Sequence, residues 1–191
     1  MTKRSMAKSR AKARRALPGE PAGRKLVERV LRVDHAGEYG AKRIYEGQLA
    51  VLGDRPEAEA IRAMAAAEDE HLKWFDKALT EHGVRPTALH PLWHVAGYAL
   101  GAATAMLGPR AAMACTVAVE EAIDEHYQRQ EEALGENEPK LKSTIEKFHA
   151  EELEHRDTAL AHEAEQTPGY RVLKTAIKTG CRAAIWMAER V

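Results

Sequence analysis

A chain of 191 residues is long enough for one domain with a substantial core and too short for two of ordinary size. Aromatic residues make up only 5%, while Ala, Leu, Glu, Lys and Arg abound, which favours helix over sheet. Basic and acidic residues balance at 29 each, so no overall basic excess argues for a nucleic-acid partner, and Cys115 and Cys181 stand too far apart for the paired thiols of a zinc ribbon or a rubredoxin-type iron site.

The zero total hides a division along the chain. Residues 1–24 hold eight basic residues and one acid, Glu20, a net of +7 that leaves −7 for the remainder. This arm has few large apolar residues and closes on Pro18, Gly19, Pro21 and Gly23, so it is expected to be disordered, with residues 25–191 forming the folded domain. No apolar h-region of a secretory signal is visible near the start.

Helical periodicity starts near Lys25 and runs through Leu26, Val30, Val33, Ala41, Ile44 and Leu49 to a stop at Gly53 and Asp54. Pro56 opens a second helix, carried by Ile61, Met64, Leu72, Phe75 and Leu79 and ended by Gly83. The segment 84–110 is punctuated by Pro86, Pro91 and Pro109, and between Leu89 and Leu107 it has no Asp, Glu, Lys or Arg. Its length matches a membrane span, but His90, Pro91, His94 and several small residues favour a crossover lying over a bundle or partly in a bilayer surface. Ala111 to Leu134 reads as a third helix of the bundle and Leu141 to Ala164 as a fourth, stopped by Thr167, Pro168 and Gly169. The last segment, Tyr170 to Val191, gathers Val172, Leu173, Ala176, Ile177, Cys181, Ala184, Ile185 and Ala188 on one stripe, with Arg171, Lys174, Lys178 and Arg182 opposite. Such a basic amphipathic helix either lies in a membrane interface or packs on the bundle with its basic face in water.

The chemistry sits in a repeat. Glu38 is followed after 30 residues by the Glu-x-x-His of Glu68 and His71, and Glu120 after 32 by that of Glu152 and His155. Residues three apart on a helix share a face, so each pair aims a carboxylate and an imidazole at one point. One Glu from each of two helices plus a Glu-x-x-His from each of two others is the ligand set of a ferritin-like dimetal bundle; four carboxylates with two imidazoles suit iron or manganese, donor type alone leaves zinc open, and iron is the expected metal. Glu120 is preferred to Glu121 because it shares its face with Val117, Ile123 and Tyr127, whereas Glu121 points to water with Asp124, Glu125 and Gln128. Glu152 is preferred to Glu151 because only it stands three before His155. Asp34, one turn before Glu38, is a candidate to accept a hydrogen bond from the outer nitrogen of a ligand histidine, although a plain ion pair on the helix face is the favoured alternative. Tyr127 is a candidate for gating the pocket or donating a proton, although the residues alone favour a core tyrosine with a satisfied hydroxyl.

The stretches RVDHAGEYGAKRIYEGQ from Arg32, EDEHLKWF from Glu68, VRPTALHPLWHVAGYALG from Val84, ACTVAVEEAIDEHY from Ala114 and EELEHRD from Glu151, together with the tail from Tyr170, resemble the demethoxyubiquinone hydroxylase family. The resemblance implies an all-α, ferritin-like four-helix bundle with a hydrophobic crossover segment and an extra amphipathic C-terminal helix. It further implies a monooxygenase of ubiquinone biosynthesis that hydroxylates the ring of a demethoxyubiquinol with O2 and two electrons. Its two iron ions would fall on Glu38, Glu68, His71, Glu120, Glu152 and His155. Electrons would come from a reduced nicotinamide such as NADH, although no Gly-rich dinucleotide fingerprint is present. A membrane-embedded prenylated quinol as substrate, peripheral attachment through residues 89–107 and 170–191, a lipid-binding accessory protein and self-association complete the expectation. The expected site is the cytoplasmic face of a bacterial membrane or, alternatively, the matrix face of the mitochondrial inner membrane. The competing readings are a ferritin-like iron oxidase or peroxidase and a non-catalytic, lipid-binding helical adaptor.

Overall fold

Prolines at helix starts and left-handed glycines at helix ends cut the chain into long rods joined by short turns, which forces sequential rods to run antiparallel. The computed structural model describes residues 22–191. It contains α1 (Arg24–Leu52), α2 (Pro56–His82), α3 (His90–Met106), α4 (Pro109–Leu134), α5 (Pro139–Ala161) and α6 (Tyr170–Ala188), with a single 3-10 turn, Ala164–Gln166, before α6. The expected disordered arm, residues 1–24, lies outside the described residues except for its last three, and Arg24 already begins α1. Gly83 adopts φ 64° after α2, where its N–H caps the carbonyls of Leu79 and Thr80, a conformation that favours glycine.

The hairpins α1–α2 and α4–α5 face each other as a four-helix bundle. Hydrogen bonds from Gln48 Nε2 to the Ala112 carbonyl (3.0 Å) and from Gln130 Nε2 to Asp34 Oδ1 (2.6 Å) tie α1 to an antiparallel α4. Between the four rods the apolar core is split in two along the bundle axis, with smaller clusters under α6 and α3 outside them. One cluster takes Tyr45, Ile61, Met64, Met113 and Val117. The other takes Leu26, Val30, Phe75, Leu134 and Phe148. On every one of the four rods the polar residues of the repeat fall between these two clusters, so the fold places a charged layer between two greasy plugs.

The uncharged crossover is a helix that lies against α1, and glycine makes the approach close enough. A Cβ on Gly101 would stand 1.9 Å from the carbonyl oxygen of Ile44, and one on Gly47 would stand 2.2 Å from that of Tyr98. The side of α3 turned away from α1 exposes Leu92 and Val95, followed by Met106 and Leu107 at its end, while the partly exposed Tyr98 ring lies at the edge under Arg43 of α1. Among the described residues, no helix is long and apolar enough to cross a membrane.

Helix α6 overturns one sequence expectation. Three of its four basic residues, Lys174, Lys178 and Arg182, are not simply solvated opposite the buried stripe but pair with α4, while Arg171 stays exposed. Lys174 and Lys178 each meet Glu121 at 2.9 Å, Lys178 reaches Glu125 at 3.0 Å, and Arg182 grips Glu125 at 2.8 Å. Glu121, read as solvent-facing, is therefore partnered, because α6 runs along α4 and its lysines flank the contact made by Leu173, Ile177 and Cys181. The outer face instead carries Val172 and Trp186.

Candidate metal centre

The period of the α-helix turns Glu38 of α1, Glu68 and His71 of α2, Glu120 of α4, and Glu152 and His155 of α5 toward the bundle axis, where none is more than 7% exposed. The structure brings all six together. Glu38, Glu68, His71 and Glu152 offer ligand atoms within 4.8 Å of one another, and so do Glu68, Glu120, Glu152 and His155. The two groups share Glu68 and Glu152, so each of these carboxylates is within reach of a cation held by either group. His71 Nδ1 lies 3.3 Å from Glu38 Oε2 and 3.1 Å from Glu152 Oε1. His155 Nδ1 lies 3.3 Å from Glu68 Oε1 and 3.1 Å from Glu152 Oε2.

Four buried carboxylates are costly unless something positive offsets their desolvation. Burial pushes Glu68 well above the usual carboxylate range, aided by the charge of Glu152, and it does the same to Glu120. Burial also acts to raise Glu152, but hydrogen bonds from His155 and His71 outweigh it and hold Glu152 low. Burial would lower His71, yet its bonds to Glu152 and Glu38 bring it up to about 10. Protons on carboxyls and on an imidazole thus carry the compensating charge that a divalent cation would supply.

The donor set fits a metal on its unmet bonds as well. Both oxygens of Glu68 and Oε2 of Glu120 are buried without a hydrogen-bond partner, even though His155 Nδ1 approaches Glu68 Oε1. Carboxylate and imidazole donors in this number suit iron or manganese, and no thiolate joins them.

Two tyrosines pin the outer glutamates. Tyr127 donates to Glu38 Oε1 at 2.7 Å, and Tyr45, which the sequence did not single out, donates to Glu120 Oε1 at 3.0 Å. Tyr127 is 2% exposed, and burial, then the charge of Glu38, pushes its hydroxyl well above the usual phenol range, so it stays protonated and holds Glu38 in place.

Asp34 departs from its expected role. Its Oδ1 meets His126 Nε2 at 3.2 Å and accepts from Gln130 Nε2 at 2.6 Å, and it touches neither His71 nor His155. The outer nitrogen of His71 meets Glu151 Oε2 instead, at 2.7 Å. The helical periodicity that excluded Glu151 from the inner ring could also have placed it at the rim of α5, within reach of α2.

Residues 25–188 match the family profile of the ubiquinone biosynthesis protein COQ7. Among curated relatives, the 3-demethoxyubiquinol 3-hydroxylase of Rhodospirillum rubrum is 55% identical over 186 residues, which cover 97% of this chain and 88% of the relative. The mitochondrial NADPH-dependent 3-demethoxyubiquinone 3-hydroxylase of Homo sapiens is 53% identical over 172 residues, 88% of this chain and 79% of the relative. The mitochondrial 5-demethoxyubiquinone hydroxylase of Saccharomyces cerevisiae is 42% identical over 183 residues, 87% and 78% of the respective chains.

Proposed function

The chain belongs to the ubiquinone biosynthesis protein COQ7 family, and from that premise we propose that it is a di-iron monooxygenase that hydroxylates the ring of a demethoxyubiquinol. The overall balance is one O2, two electrons and two protons consumed, one oxygen atom placed on the ring and the other released as water. The observation that carries this reading is the pair of overlapping buried ligand groups sharing Glu68 and Glu152. Bound by Glu38, Glu68, His71, Glu120, Glu152 and His155, a pair of iron ions would supply the oxygen-activating chemistry.

The remaining work falls to the protein. Tyr127 and Tyr45 keep Glu38 and Glu120 oriented through donated hydrogen bonds. The apolar clusters on either side of the charged layer keep bulk water from its carboxylates and imidazoles. A reduced nicotinamide is the electron source in this proposal, which agrees with the NADPH dependence in the human relative's name.

The substrate reaches the site from a bilayer in this reading. The uncharged, outward side of α3 and the exposed Val172 and Trp186 of α6 form an apolar surface suited to lie in the membrane interface, with the protein peripheral to it. With Lys174 and Lys178 engaged by Glu121, attachment should depend mainly on apolar contact. Purified protein is accordingly expected to float with liposomes at both low and moderate salt, and Val95→Glu to weaken that flotation; protein that stays in the soluble fraction would count against the membrane route.

Activity is tested by incubating the anaerobically reduced, iron-loaded protein with a demethoxyubiquinol and O2. Mass analysis should show a product heavier by one oxygen that becomes isotopically labelled from 18O2. Label arriving from water instead, or consumption of O2 with no change in the quinol, would overturn the assignment.

A further inference from the structure

The two histidines at the centre are held differently. His71 turns Nδ1 inward, while its Nε2 meets the Glu151 carboxylate at 2.7 Å. Glu151 lies in turn 3.3 Å from Lys147 Nζ, one helical turn away on α5. The ring of Phe148, also on α5, lies over the same imidazole with centroids 4.1 Å apart. Lys147, Phe148 and Glu151 therefore form one patch of α5 that holds His71 from its face and its outer edge. His155 also turns Nδ1 inward, toward Glu152 and Glu68, but among the described residues no side chain hydrogen-bonds its Nε2.

An imidazole that donates its outer N–H to a carboxylate is fixed in rotation and tautomer, and its inner nitrogen becomes a better electron donor to a cation. A ring without that partner must be oriented when the cation arrives. We infer that Glu151 is a positioning residue that makes the two metal positions unequal: the position formed by Glu38, Glu68, His71 and Glu152 binds a divalent cation more tightly than that formed by Glu68, Glu120, Glu152 and His155. This rests on the metal-centre reading above and adds an order of loading to it, with the His71 side filled first.

Glu151 is about one-third exposed, so its replacement by the near-isosteric glutamine leaves the fold intact, and an unchanged melting temperature of the metal-free Glu151→Gln protein verifies this. The test is anaerobic titration calorimetry with Fe(II). Wild-type protein is expected to take up metal in two steps of different affinity. Glu151→Gln should weaken the tighter step about 10- to 100-fold and leave the weaker within about threefold, so that the two steps merge. His155→Ala should keep the tight step, whereas His71→Ala should keep only the weak one. Equal steps in the wild type, a Glu151→Gln protein with both steps unchanged or both weakened alike, or loss of the tight step in His155→Ala would overturn the inference. Wild-type protein that takes up no Fe(II) is a different result, and it would overturn the metal centre itself.

Discussion

Glu152→Ala is expected to abolish metal loading at both positions at once and to lower turnover on the order of 1000-fold, about 4 kcal/mol of lost transition-state stabilisation. Glu152 belongs to both ligand groups, lies against both His71 and His155, and is 2% exposed. Its removal takes one oxygen donor from each position and opens a gap that no neighbouring carboxylate fills. Glu120→Ala is the informative contrast, because Glu120 belongs to one group only and its loss should spare part of the metal content. Metal analysis of the purified variants, alongside the mass assay, distinguishes the two. A Glu152→Ala protein holding the wild-type metal content would show that the shared carboxylate is not a ligand.

Removal of the metal should destabilise the protein, and the loss should grow as the pH rises. Glu68 and Glu120 have folded-state pKa values above their unfolded ones, so without a cation their contribution is complete below the unfolded value and disappears as the pH climbs through the raised one. His71, raised to about 10, acts in the same sense: its contribution is full below about 6.5 and is lost between there and about 10. Glu152, held low, contributes above its unfolded value and does not alter the trend at neutral pH. Metal binding displaces the protons from these ligands, so its stabilisation increases over the same interval. With metal at about 1,000 times its dissociation constant the gain is about 4 kcal/mol, or roughly 10 °C in melting temperature for a chain of this size. Melting curves of chelated and loaded protein from pH 6 to 9 check this. A gap that narrows as the pH rises would contradict the charge compensation described above.

The contrast between Glu120 and Glu121 shows what is legible in the chain and what is not. The 3.6-residue period turns Glu120 inward with Val117 and Tyr127, and in the structure it lies 1% exposed against Tyr45. The same period correctly turns Glu121 away from the bundle axis but is silent about what lies on that side. A helix from fifty residues further along supplies Lys174 and Lys178, and an expected contact with water becomes an ion-pair ladder. Asp34 repeats the lesson, because its place one turn before Glu38 was evident while its partners, His126 and Gln130, come from α4.

The sequence by itself determined the rods and the inner ring of polar residues. Proline, glycine and helical periodicity act over a few neighbouring residues, and a Glu-x-x-His spacing shares a face wherever the helix goes. Only the tertiary structure decided that Glu68 and Glu152 belong to both candidate ligand groups, that Glu151 and Phe148 clamp His71 while no side chain among the described residues hydrogen-bonds the outer nitrogen of His155, and that Lys174, Lys178 and Arg182 of α6 turn onto α4. Those outcomes depend on how far a long side chain reaches across a helix–helix contact, and helix separation and register are set by packing, for example by the glycines that let α3 lie against α1.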